Sequence, residues 1–304
     1  MSPPHGSGGA AGSRVERVVQ TRCLGRVIAL TGAVLILEAI GGIMSGSLAL
    51  ISDAGHMLTD LLALVLSLMA VRFAALPATP AKTWGYHRLE ILTALLNGAL
   101  LLCLSSWLLY RAFRRLLDPV PVEGPLMTGV AVAGLLANLV SMAILSRAGH
   151  SLNLKAARMH VIGDALSSLG VVVAGTIIAF TGWHRIDPVV AAVIAVVIIA
   201  GAVRLVREAV DVLLEATPAG IDLDAVGGAI GAIPGVVEVH DLHVWSITTG
   251  LPALSGHVRV ADPDRRDPDE LLNRIKRVLR DRFGIVHTTI QVESESYQEL
   301  GDVH

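Results

Sequence analysis

Residues 49–72 read ALISDAGHMLTDLLALVLSLMAVR, and residues 156–181 read AARMHVIGDALSSLGVVVAGTIIAFT. Each run is apolar enough, and long enough, to cross a bilayer as a helix, which takes about 20 residues for roughly 30 Å of hydrocarbon. Each is also interrupted by the same pair of ionisable residues four positions apart, His56 with Asp60 and His160 with Asp164. A charged side chain deep in a spanning helix costs about 2.5–3.5 kcal/mol on insertion scales, so each one needs a partner or a function. At 100° per residue, four positions return to the same helix face one turn along. Both helices are therefore expected to present a His and an Asp side by side.

The rest of the chain fits this reading. Hydrophobic residues make up 53% of the 304 and charged residues only 16%, with a mean hydropathy of +0.64, so a bilayer is the natural solvent for most of the chain. Six apolar runs fall near 27–46, 49–72, 90–111, 125–146, 156–181 and 187–206. Arg14, Arg17, Arg22, Arg26, Arg72, Lys82, Arg88, Arg147, Lys155, Arg158, Arg204 and Arg207 then lie on one side of the membrane, the cytoplasmic one by the positive-inside rule. Both termini belong to that side. Arg111, Arg114 and Arg115 lie opposite and run against the trend.

A net charge of −2 excludes the basic excess expected of a nucleic-acid partner. Cys23 and Cys103 form neither a CxxC pair nor a disulfide framework and read as packing residues. The opening MSPPHGSGGAAGS is too small and polar to offset chain ordering, so residues 1–25 are expected to form a disordered cytoplasmic tail.

Two imidazoles and two carboxylates, brought together from the second and fifth spans, are a complete tetrahedral donor set for a divalent metal such as zinc. Two carboxylates also neutralise one divalent cation, where net charge is costly. An empty site could be neutralised by protons instead, and histidine titrates in the physiological range. Interhelical hydrogen bonding is the competing reading of each pair, and the repetition of the motif weighs against it. Asp53, one turn before His56, is left outside this set and could equally be a helix-start residue, while Glu38 and Asn138 read as packing residues.

Beyond residue 206 the sequence turns charged and turn-rich, so 26–206 is read as a membrane domain and 207–304 as a separate cytoplasmic domain. Helices over 222–233 and 268–283 and strands over 236–248, 254–260 and 286–293 give the order αββαβ, a small α+β sandwich. His240 and His243, three apart on a strand, are expected to point to opposite faces. His243 reads as a half-buried strand residue with Trp245 beside it. His287, Gln291 and Glu293 share one face of the last strand by even spacing, and with His257 on the neighbouring strand they could converge with His240.

The segments SLALISDAGHMLTD (47–60), TWGYHRLEILTALLNG (83–98), HVIGDALSSLGVVVAG (160–175) and HDLHVWSITTG (240–250) together resemble the cation diffusion facilitator family of zinc transporters. The resemblance runs over nearly the whole chain after residue 25. It implies a multi-pass homodimer with six transmembrane helices per subunit, a metallochaperone-like, ferredoxin-like cytoplasmic domain, and exchange of zinc for protons, here in a bacterial inner membrane. By the same resemblance, His56, Asp60, His160 and Asp164 hold the transported zinc. Histidine at position 56 favours zinc over harder cations, with cobalt and cadmium as minor substrates. The resemblance further assigns His240, His257, His287 and Glu293 to zinc in the cytoplasmic domain and His87 to a peripheral zinc. It makes Arg88 and Glu215 a charge pair between the domains. An enzyme fits poorly: the chain has no HExxH motif, and four protein ligands leave a tetrahedral zinc no open position for water.

Overall fold

The computed structural model describes residues 8–74, 76–146, 152–261, 268–295 and 297. Six long helices come first: α1 Gly8–Ser45, α2 Leu48–Ala74, α3 Leu89–Leu117, α4 Gly124–Ser146, α5 Leu152–Thr181 and α6 Ile186–Leu213. All six are long and apolar enough to cross a membrane, and the sixth, whose uncharged core reads as short in the sequence, is the most apolar of them. Large apolar side chains such as Ile43, Leu64, Leu136, Phe180 and Val197 point outward, as they do where lipid rather than water is the neighbour.

The expectation of a disordered stretch through residue 25 is not met from Gly8 onward, where α1 already runs as helix. The physical reason is cooperativity: with the apolar part of α1 formed, each added residue gains a hydrogen bond, and no proline lies between Pro4 and the end of α1 at Ser45 to stop it. Residues 1–7 lie outside the described residues.

The chain divides into two compact units, Met1–Val65 with Asn97–Val203, and Leu66–Leu96 with Arg204–His304. The segment 66–96, read from sequence as membrane domain, thus groups with the C-terminal residues. Polar contacts account for this: Arg88 donates to Glu215 at 2.7 Å, and Thr248 donates to Glu90 at 2.6 Å.

In the first unit α4 and α5 approach with almost no side chain between them. A Cβ on Gly124 would stand 2.6 Å from the backbone nitrogen of Ala179, and one on Gly175 would stand 2.5 Å from Oγ1 of Thr128. Replacing Gly124 with alanine must therefore push backbone apart, and overpacking of this kind costs about 1–3 kcal/mol. The expected outcome is a lower thermal midpoint for Gly124→Ala in detergent. Gly129→Ala, whose Cβ would meet nothing within 4 Å, should leave the midpoint unchanged.

A second fixed point is the start of α2. Asp187, fully buried at the head of α6, accepts from Ser47 Oγ at 2.6 Å and from the backbone nitrogens of Leu48 and Ala49 at 2.8 and 3.1 Å. A helix start leaves such N–H groups without partners, and this carboxylate satisfies two of them. Arg115 comes within 3.6 Å of the same carboxylate and donates to the Gly46 carbonyl at 2.6 Å. One of the three arginines that defy the charge trend therefore serves the fold rather than the topology.

The second unit contains α7 Leu223–Gly231, β1 Val236–Thr248, β2 Leu251–Val260, α8 Pro268–Phe283 and β3 His287–Ser294. The sheet order is β1-β2-β3, with β1 antiparallel and β3 parallel to β2. Parallel neighbours need a crossover, and α8 supplies it. Val226, Ile230, Leu254, Val258, Ile275 and Leu279 form the buried core between helices and sheet. Strand β2 starts three residues earlier than expected because Thr249 and Gly250, the latter at φ +74°, close a tight hairpin.

Candidate metal centres

The first centre is built from α2 and α5. Nε2 of His56 lies 3.5 Å from Oδ2 of Asp60, Nε2 of His160 lies 3.4 Å from the same oxygen, and His160 Nε2 lies 3.5 Å from Oδ2 of Asp164. The two imidazoles meet edge to face with centroids 6.1 Å apart. Donor atoms of His56, Asp60 and His160 all lie within 4.8 Å of one another. Bonds of about 2.0–2.1 Å to a tetrahedral zinc put neighbouring donors about 3.3–3.4 Å apart, so these three edges already have the right length. Asp164 is buried and reaches the group only through His160, while His56 and Asp60 are half-buried and His160 is exposed. The four residues singled out by spacing are thus brought together.

Asp53 is not a helix-start residue. It lies a turn inside α2, buried, and accepts from Ser167 Oγ at 2.7 Å and Ser168 Oγ at 3.4 Å on α5. Asn138 donates to the same Ser168 at 3.4 Å. Two adjacent serines following Asp164 were the available signal for this contact. Glu38 is also fully buried, packed against Gly134, and neither of its carboxylate oxygens has a hydrogen-bond partner among the described residues.

The second centre lies on the sheet of the C-terminal unit. Nε2 of His240 is 3.3 Å from Oε2 of Glu293, and Nδ1 of His257 is 3.1 Å from Oε1 of Glu293. The two imidazoles are edge to face at 5.3 Å. His240 pairs directly with His257 across β1 and β2, and Glu293 is buried beneath them, with Gln291 donating to it at 2.9 Å. This donor set also fits a borderline divalent cation, and its three donors lie within 4.8 Å of one another.

Two expectations fail here. His287 does not join the cluster: it pairs with Ala253 while Glu293 pairs with Arg259, six residues or about 20 Å further along the strand. Its ring instead meets Trp84 edge to face at 5.1 Å. His243 is not half-buried, and it does not face away from His240. A β-bulge between them lets His240 pair with His257 and His243 with Ser255, so three residues of β1 span two of β2 and both histidines end on one face. His243 is exposed and lies 2.8 Å from Oδ1 of Asp241.

Arg88 and Glu215 do form an ion pair, both within the second unit. His87 lies half-buried in the turn before α3 and joins neither donor cluster among the described residues.

Two family models cover almost all of this architecture: the cation efflux transmembrane domain matches residues 25–214 and the cytoplasmic domain of cation efflux proteins matches residues 218–295. The chain belongs to the cation efflux, or cation diffusion facilitator, family. It is a multi-pass membrane protein and a transporter of the cation efflux type, with a metal cation as its cargo. The metal cation efflux system protein CzcD of Cupriavidus metallidurans is 44% identical over 273 residues, covering 90% of this chain and 86% of that one. The zinc transporter ZitB of Escherichia coli is 40% identical over 267 residues, covering 87% and 84%. An antiporter of Bacillus subtilis described as exchanging cadmium, cobalt and zinc for protons and potassium is 38% identical over 274 residues, covering 89% and 88%. Among solved structures, the metal-bound C-terminal domain of the Cupriavidus CzcD transporter is 42% identical, covers 24% of this chain and 99% of that one, and has a TM-score of 0.23.

Proposed function

We propose that this cation efflux protein exports zinc from the cytoplasm in exchange for protons, carrying it through a site made of His56, Asp60, His160 and Asp164. The observation that carries the reading is the separation of the donor atoms, 3.4–3.5 Å along three edges, which suits zinc with two imidazoles and two carboxylates. Zinc bound there is neutralised by two aspartates, and its departure leaves two negative charges, one of them buried, that protons can compensate. Alternating exposure of one site to the two sides then couples the two flows. The arginine and lysine pattern supports cytoplasmic termini and release on the outer side of a bacterial inner membrane. The names of the relatives support zinc as cargo, with cobalt and cadmium as minor ones.

The C-terminal unit would hold further zinc through His240, His257 and Glu293. A bound metal there neutralises the buried Glu293 and ties β1, β2 and β3 together. His240 and His257 supply neutral nitrogens, and Gln291 orients the carboxylate. The family's cytoplasmic domain supports a homodimer as the working unit.

Zinc uptake into sealed inside-out vesicles with an acidic lumen tests the reading, and a lumen that gains no zinc would overturn it. Selectivity follows from the donors. His56→Asp exchanges a nitrogen for a harder oxygen, and the variant should accept manganese in competition assays where the parent takes zinc. Unchanged competition would remove His56 as the selectivity determinant.

A further inference from the structure

The ring of His257 has a different carboxylate at each nitrogen. Nδ1 is 3.1 Å from Glu293, and Nε2 is 3.8 Å from Oδ2 of Asp241. Histidines that bind metal through one nitrogen generally donate the other N–H to a carboxylate, carbonyl or water, which fixes the ring and its tautomer. Asp241 stands where that acceptor belongs, and a ring rotation closing about 0.9 Å completes the hydrogen bond.

The backbone is bent to put it there. Asp241 sits in the bulge of β1 with φ +49°, one of two non-glycine residues with positive φ among the described residues. A non-glycine residue in this region is uncommon and costs free energy that the surroundings must supply. Leu242, half-buried, follows and packs so tightly over Gly256 that a Cβ there would stand 2.8 Å from its methyl. His243, brought back to the same face, holds the other oxygen of Asp241 at 2.8 Å.

We propose that Asp241 is the positioning residue of the C-terminal metal centre: it accepts from Nε2 of His257, commits Nδ1 to the metal beside Glu293, and is itself held by His243. This rests on the reading of His240, His257 and Glu293 as a zinc centre.

The test is zinc titration by calorimetry on the full-length protein in detergent, in an Asp60→Asn/Asp164→Asn background that removes the membrane centre. Asp241→Gly should bind the same number of zinc ions about 10–100-fold more weakly, the usual cost of losing such an acceptor. Its zinc-free melting temperature should be equal or higher, because glycine takes φ +49° without strain. Asp241→Asn keeps a carbonyl acceptor and tolerates the same backbone, so its loss should be smaller. His243→Ala should weaken binding by less than tenfold. Cobalt in place of zinc should give the same absorption bands in the parent background and in Asp241→Gly, marking an unchanged donor set. Unaltered affinity in Asp241→Gly would overturn the positioning role alone, as would a lost zinc ion or altered cobalt bands, which would make Asp241 a ligand. A parent background that binds no zinc, or Glu293→Ala binding as the parent does, would overturn the centre itself.

Discussion

Asp164→Asn should reduce zinc flux in reconstituted vesicles by at least about 10²-fold while the protein still purifies as a folded species. The carboxylate is buried and stands 3.5 Å from His160, so the substitution removes a charge that water cannot replace at that position. Breaking a buried ion pair from one partner costs about 3–5 kcal/mol, which corresponds to a factor of about 10²–10⁴ in binding. Asparagine keeps the size and one acceptor oxygen. If His160 and Asp164 were only a hydrogen-bonded contact between spans, Asp164→Asn would therefore transport nearly as well as the parent, and that result would remove the site assignment. His160→Ala should lose transport to a similar degree, since it is the imidazole that links Asp60 to Asp164.

The largest effect on stability is expected at Asp187. Alanine there leaves the Ser47 hydroxyl, two backbone N–H groups and the Arg115 guanidinium without their acceptor in a buried place. The loss of a buried charge partner alone costs about 3–5 kcal/mol. Asp187→Ala should show a large drop in thermal midpoint in detergent, and Asp187→Asn, which can still accept with one oxygen, a smaller one. Equal midpoints for Asp187→Ala and the parent would mean that the start of α2 is fixed by packing alone.

The six helices were legible because each spends some twenty residues in apolar sequence, and the clustering of the four candidate membrane residues because 3.6-residue periodicity carries over directly into which face a side chain occupies. The C-terminal elements were legible by pattern to within a few residues. What escaped is of another kind. Asp187 acts on residues about 140 positions away in the chain, a distance at which no local pattern speaks. His243 was misplaced because one inserted residue reverses the parity of a strand, and a bulge of this sort is set by packing such as that of Leu242 over Gly256. His287 shared the correct face but the wrong position along it, since face follows from counting by twos while register is fixed by the parallel pairing with β2.

The glycine contact between α4 and α5 has a mechanical side. Gly175 meets Gly124 and Thr128 where the two backbones touch, and His160 lies fifteen residues earlier on the same helix, about 22 Å away at 1.5 Å per residue. A contact that tight is a poor place to slide and a good place to pivot. Rocking α5 by about 5° around it would sweep the imidazole of His160 through about 2 Å, comparable to the length of a zinc–nitrogen bond. The helix would then act as a lever whose short arm is pinned by the absence of side chains and whose long arm carries His160 and Asp164.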